Sequence, residues 1–306
     1  MKLTLVLALA GSLSALGFAM LEDAGGEEIK IDEDWLRLAR GGKPVLEYHY
    51  SGKGLFKPYV AALHLPGGIN PLRDAPHDHL HHHALMLAWN VNDVEFWGPE
   101  DAACGNQVLV AFSDVKVTAA GATFSERLQW KAPSKDQVLL LEDRSISHLP
   151  LAGQDATLID WKTSVSVPPG KGAARLSGRE YHGLGVRFVI PMDKVGKFQN
   201  SEGATGVEGT NKKRARWCSY SGPTETGQKV TAAFFDHPSN PRSPADWFTM
   251  IDPFAYMTAT LGLDEKPIEI KEGDKLTVRY GVALFAGEAS REAIEALYKE
   301  WIERLP

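Results

Sequence analysis

The chain has 306 residues, 43% of them apolar and 24% charged, with a formal net charge of −6. Such a balance describes a folded globular protein and offers no basic footprint for nucleic acid. Lys212-Lys213-Arg214 with Arg216 is the one basic run, and it reads as solvated surface.

The N-terminus opens Met1-Lys2, and an apolar run from Leu3 to Ala19 follows, closing on the small-x-small triplet Gly17-Phe18-Ala19. This is the layout of a signal peptide over residues 1–19, and it predicts a periplasmic or secreted protein starting near Met20. No later stretch approaches the roughly 18 apolar residues of a membrane helix, so no membrane contact is expected after cleavage. N-terminal sequencing of protein recovered from an exporting host should begin near Met20; a retained Met1 would overturn the expectation.

A short helix is expected near Asp32–Ala39. Short alternating runs then dominate: 45–50, 59–65, 84–91, 107–117, 123–130, 138–146, 156–167, 185–190, 229–235 and 276–285. They are rich in Val, Leu, Thr, Phe and Trp and are separated by Gly, Pro, Asp or Asn. Their number and spacing predict an all-β fold, a large β-sandwich occupying residues 20–306 as one domain. Residues 196–213 are weakly patterned and read as a long loop, either functional or a surface excursion. Residues 268–276 look like a hairpin with a Gly273-Asp274 turn. A C-terminal helix follows, with Ser290 as N-cap and Ile294, Leu297, Trp301 and Leu305 as its apolar stripe. Cys104 and Cys218 could pair in an exported protein, but their spacing is uninformative.

Five of the ten histidines fall within His77-Asp78-His79-Leu80-His81-His82-His83, just before the apolar run at Ala84. Imidazole is the commonest metal ligand and titrates near neutrality, so crowding and burial favour neutral rings able to bind a metal or take a proton. If the segment were extended, His79, His81 and His83 would share one face, and Asp78, Leu80 and His82 the other.

Asp78-His79-x-His81-His82, followed by Asn92-Asp93-Val94-Glu95-Phe96-Trp97, resembles the bacterial family called PmoA-like, or methane oxygenase. Its members typically carry Asp-His-Pro-His-His-Arg-Gly and then Asn-Gly-Val-Asp-Phe-Trp. Gly183-Leu184-Gly185-Val186-Arg187, Ala215-Arg216-Trp217, Tyr220-Ser221-Gly222 and Asp236-His237-Pro238-Ser239-Asn240-Pro241 resemble further family segments in the same order. Here Leu80 replaces the usual Pro, and His83-Ala84 replaces Arg-Gly. A methane oxygenase subunit spans a membrane repeatedly, so the label implies no such activity for a chain without later spans. The resemblance implies a supersandwich like that of galactose mutarotases and polysaccharide lyases, and carbohydrate chemistry.

The resulting expectation is an exported carbohydrate-active enzyme: a hydrolase, lyase or isomerase acting on a sugar or keto-glycoside. The alternative is a non-catalytic sugar- or metal-binding module. His79, His81, His82, His237 and His182 are the candidate acid/base groups. His79, His81 and His82 could instead hold a divalent metal. Arg73, Asp78, His83, Trp97, Arg187, Glu208 and Asn240 are candidate substrate contacts. The two prolines around His237 should fix that loop, and His237 is expected to share a pocket with the histidine segment. No Gly-x-Ser-x-Gly elbow, phosphate loop or dinucleotide fingerprint occurs, so no nucleotide cofactor is expected.

Overall fold

The computed structural model describes residues 19–22, 26–133 and 137–305. The expected signal peptide, up to residue 18, lies outside the described residues.

The described chain is a sandwich of antiparallel sheets. The larger sheet runs, edge to edge, Ala19–Glu22, Glu27–Ile31, Trp35–Arg40, Lys43–His49, Tyr59–Leu63, Leu85–Ala88, Gly183–Arg187, Tyr256–Thr260, Asp246–Met250 and Lys213–Arg214. Opposite it run Lys197–Asn200, Trp217–Pro223, Lys229–Asp236, Lys275–Ala286, Ala156–Ser166, Val138–His148, Gly121–Lys131 and Asn106–Thr118. A small third sheet joins Ile268–Lys271, Ala173–Ser177 and Asn90–Val91.

Alternation explains the strands. In Gly121–Lys131, residues Ala122, Phe124, Glu126, Leu128 and Trp130 point inward, and their neighbours are more exposed. Leu85–Ala88 is buried on both faces, so it reads as an unbroken apolar run. Between the sheets lies one polar knot. Arg144, fully buried, donates to Glu142 Oε1 (2.8 Å), Tyr48 Oη (2.8 Å), Gln107 Oε1 (3.0 Å) and the Pro58 carbonyl (3.2 Å). Trp130 Nε1 and Thr163 Oγ1 also donate to Glu142, and the Tyr48 hydroxyl donates to Glu126. Burial pushes the Glu126 carboxyl up to about 7 despite Arg144.

The expected helix near Asp32–Ala39 is a strand, Trp35–Arg40. Its buried Leu36 and Leu38 are two residues apart, the period of a strand. The expected hairpin is only a turn: Ile268–Lys271 pairs with Ala173–Ser177, while Lys275–Ala286 sits between Ala156–Ser166 and Lys229–Asp236. The two strands belong to different sheets because both edges of the longer one are already filled. Residues 196–213 contain the strand Lys197–Asn200 and one helical turn, Gly206–Thr210, ordered by Asn200 Oδ1, which accepts the amides of Glu202 and Ala204. Cys104 and Cys218 are buried and free, so they form no disulfide.

The C-terminal helix, Arg291–Arg304, forms as expected, and the Ser290 side chain accepts from the Ala293 amide (3.2 Å). Its Ile294, Leu297, Tyr298 and Trp301 pack on the outer face of the eight-stranded sheet with Phe235, Ala283 and Leu158. Trp301 Nε1 donates to Asp160 Oδ1 (3.0 Å), which also accepts from Arg279. Trp301→Ala should therefore lower unfolding stability by about 3–5 kcal/mol. A denaturant titration would check this, and a change under about 1 kcal/mol would show that the helix is not part of the core.

Candidate functional site

Residues 76–83 are not extended. Two successive turns wind the loop: the His79 amide donates to the Pro76 carbonyl and the His82 amide to the His79 carbonyl, both at 2.9 Å, and the Ala75 amide closes on the His82 carbonyl (3.1 Å). Turn spacing, not strand alternation, decides which rings meet. His79 and His82 stack at 4.5 Å, His81 meets His82 edge-on at 4.6 Å, and Leu80 points to solvent. The expected division into two faces is therefore replaced by a cluster of His79, His81 and His82, with His83 turned inward.

His83 belongs to a separate charged network. Its Nδ1 lies 2.9 Å from Asp74 Oδ1 and its Nε2 3.2 Å from Glu100 Oε1, while its ring stacks on Tyr59 at 3.8 Å. The fully buried Lys57 ammonium also donates to Glu100, and Tyr59 Oη donates to Asp74 Oδ2 (2.8 Å). Burial disfavours the His83 cation, but bonds to Asp74 and Glu100 outweigh it and raise the pKa. Burial likewise pushes Glu100 up, yet His83 and Lys57 hold it at about 2. His83, expected to touch substrate, is occupied in holding the loop.

Two rings of the cluster, His81 and His82, are held neutral. Burial, with Lys57 and His79 nearby, lowers His81 to about 4; burial, with His81 and His79, lowers His82 to about 2. His81 packs against Gly98, where a Cβ would come 2.6 Å from the ring and where φ is +144°. His79 Nδ1 lies 3.1 Å from Asp78 Oδ2. Partial burial pushes Asp78 up, but His79 and Arg187 hold it at about 2.

The floor is built from the larger sheet. Gly185 faces Thr258 and Arg187 faces Tyr256 across adjacent strands, so these four residues share one face of the sheet. Arg187 reaches Asp78 Oδ2 (3.3 Å) and His82 Nδ1 (3.4 Å), and its guanidinium lies 3.4 Å from the centre of the Phe254 ring. Beside this floor, Asn92 and Asp93 adopt left-handed backbone in a tight turn that the Val94 amide closes on the Val91 carbonyl, which explains those residue types in the second motif. Trp97, next in line, stacks on His182 at 5.0 Å and 9°. Burial, with Arg179 and Lys57, lowers His182 to about 3. Glu95 accepts from the Trp97 amide (2.9 Å) and lies 3.7 Å from His182 Nε2.

The structure thus assembles His79, His81, His82, Asp78 and Arg187, with His182 and Trp97 beside them. Arg73 joins them: its amide donates to the Arg187 carbonyl (2.9 Å), and its charge acts on Arg187 and Asp193. His237 does not join. Its ring contacts Ser239 Oγ (2.7 Å) and Trp301 (5.6 Å) against the C-terminal helix. The shared pocket fails because Asp236–Pro241 follows a strand of the other sheet. Asn240 is a turn cap, donating to Asp236 and the Arg279 carbonyl at 2.7 Å. Glu208 is exposed on its isolated helical turn.

His79, His81 and His82, expected to be able to hold a metal, are not arranged as a ligand set in this structure. His79 and His82 stack face on face rather than converging on a point, and no group of three or more His, Cys, Asp or Glu among the described residues could hold a metal ion. Sequence reasoning missed Tyr256, Thr258 and Phe254 in the floor and Lys57, Tyr59, Asp74 and Glu100 behind the loop. Only the Tyr256-x-Thr258 alternation hinted at a shared face, and nothing indicated its partner strand.

Residues 36–299 match the family of unknown function DUF6807, and the chain belongs to that family. The PmoA-like name finds no support in the comparisons. No protein of curated function matches. Among solved structures, a candidate mutarotase (YeaD) from Salmonella typhimurium aligns with TM-score 0.41 and 8% identity, over 88% of this chain and 97% of that one. Slr1438 from Synechocystis sp. PCC 6803 aligns with TM-score 0.40 and 10% identity, over 92% and 100%. A candidate aldose 1-epimerase (b2544) from Escherichia coli K12 aligns with TM-score 0.34 and 12% identity, over 88% and 100%.

These histidines should be visible in the pH dependence of stability. His81 and His82 are neutral when folded but protonate near 6.5 when unfolded, so the unfolded state binds more protons as pH falls below 6.5, and stability drops. For His83 the sign reverses: its contribution is complete below 6.5 and is lost as pH rises through its elevated folded pKa. In denaturant titrations from pH 4 to 9, the difference between wild type and His82→Gln should grow on the alkaline side of that acid limb, and His83→Gln should flatten the decline above neutrality. Parallel profiles for all three proteins would refute this assignment.

Proposed function

We propose that the protein is a carbohydrate-active enzyme that transfers protons on a sugar through the His79/His81/His82 cluster. The observation that carries this reading is the pair of imidazoles kept neutral beside a buried arginine. A neutral His81, half-buried and packed on Gly98, is ready to take a proton from a hydroxyl or carbon. His79, oriented by Asp78 at 3.1 Å, is placed to return one to a ring or leaving-group oxygen. Arg187 and Asp78 offer the donor and acceptor that a polyhydroxylated ligand needs.

The exported, periplasmic or secreted setting belongs to the same proposal and rests on the first 19 residues.

The test is a proton NMR panel of free aldoses for anomerisation and of glycosides and keto-glycosides for cleavage or elimination. His81→Gln should reduce turnover by about 10²–10⁴-fold without unfolding the protein. Because the base must be neutral, kcat/KM in wild type should fall only as pH drops through about 4, well below the 6.5 of a free imidazole. Turnover unaffected by His81→Gln and His79→Gln would refute the proposal, and tight sugar binding without turnover would favour a binding module.

A further inference from the structure

Below the histidine cluster, buried polar groups gather without partners. Among the described residues, Trp97 Nε1, His182 Nε2 and Arg187 Nε have no hydrogen-bond partner, and the Tyr256 and Thr258 hydroxyls have none beyond each other. Trp97, His182, Arg187, Tyr256 and Thr258 are each at most 2% exposed. They are contiguous. Gly185 lies against Tyr256 Oη, Thr258 Oγ1 and the Trp97 ring so closely that any Cβ there would collide with all three. A buried polar group left unpaired is costly, so a cluster of them is built for something that supplies the missing bonds.

The set is rich in donors. An indole N–H and an arginine Nε–H can only donate, and the two hydroxyls can donate as well. A sugar hydroxyl brings its own proton, whereas a carboxylate only accepts. Charge points the same way. Arg187 is the cation of the floor, and its contacts are long: Asp78 at 3.3 Å, on the rim, and the uncharged His82 at 3.4 Å. Arg73 adds a second positive charge nearby, and burial, which pushes the Asp193 carboxyl up, weakens the opposing one. Glu95, the carboxylate closest to His182, is engaged by the Trp97 amide, and the Asn90 side-chain amide can donate to it at 2.8 Å. Phe254 covers Arg187, and excluding water strengthens any ion pair formed there.

We infer that this floor receives the carboxylate of an acidic sugar, paired with the free Nε edge of Arg187 and hydrogen-bonded by Trp97 and the Tyr256 and Thr258 hydroxyls. The inference rests on the carbohydrate reading and adds the class of sugar. Phe254 and the half-buried Tyr181, at the edges of the floor, must move for the ligand to enter.

Calorimetric titration of the full chain with sodium glucuronate and galacturonate, against glucose and galactose, tests it independently of turnover. The uronates should bind at least about tenfold tighter than their neutral counterparts. Arg187→Met should weaken uronate binding by about thirtyfold or more and neutral-sugar binding by clearly less, because only the uronate loses an ion pair as well as a hydrogen-bond donor. Trp97→Phe removes one N–H donor with little change of shape, so it keeps the test informative should Arg187→Met fail to fold; it too should weaken uronates selectively. Neutral sugars binding as tightly as uronates would overturn the inference, and so would uronates failing to bind. If that happened while His81→Gln still abolished turnover of a neutral sugar, only the acidic class would be lost. If histidine variants also left every activity unchanged, the proposed function would fall with it.

Discussion

Arg144 is the constraint on which the site depends. A guanidinium with no solvent exposure between two sheets is tolerated only if its N–H groups are satisfied, and removing one member of such a network leaves a buried charge uncompensated. Its partners come from both layers: Glu142 from the eight-stranded sheet, and Tyr48 and the Pro58 carbonyl from the larger sheet and its connection. Pro58 stands between Lys57 and Tyr59. Those two residues anchor Glu100 and Asp74, which in turn grip His83 from both sides. The register of the two sheets is thereby carried, one polar contact at a time, to the base of the histidine loop.

That arrangement separates charge from chemistry. Behind the loop, Lys57 and His83 are each matched by a carboxylate, Glu100 for both and Asp74 for His83 as well. The positive charges nearby then help burial keep His81 neutral, and on the other side of the loop Arg187 does the same for His82. Two adjacent histidines, His82 and His83, consequently shift in opposite directions. The difference is in the partners: His82 meets Arg187 and other imidazoles, and His83 meets Asp74 and Glu100.

Much of the framework was legible in the chain itself. Alternation identified ten of the strands, and the Ser290 cap with its Ile294/Leu297/Trp301 stripe identified the C-terminal helix, because period and capping are local properties. The histidine segment, with Asp78 inside it, stands out by composition; Arg187 reads only as a candidate substrate contact, and its place against Asp78 and His82 comes from the fold. Errors arose where local pattern was silent about partners. Residues 268–276 look like a hairpin until the long strand's edges are seen to be filled from elsewhere, and Leu36 and Leu38 read as either helix or strand over so short a span.

By itself, then, the sequence determined an all-β chain closed by one helix, with a loop rich in ionisable rings, since side-chain period and residue type are written in order along the chain. Only the tertiary structure decided which rings share an environment. Turn hydrogen bonds brought His79, His81 and His82 together and sent His83 away, strand pairing set Tyr256 and Thr258 against Arg187 and Gly185, and membership of the opposite sheet carried His237 to the back of the molecule. Those outcomes depend on contacts between residues tens to hundreds of positions apart. No local spacing encodes such contacts, and burial, on which every shifted pKa here depends, exists only once they have formed.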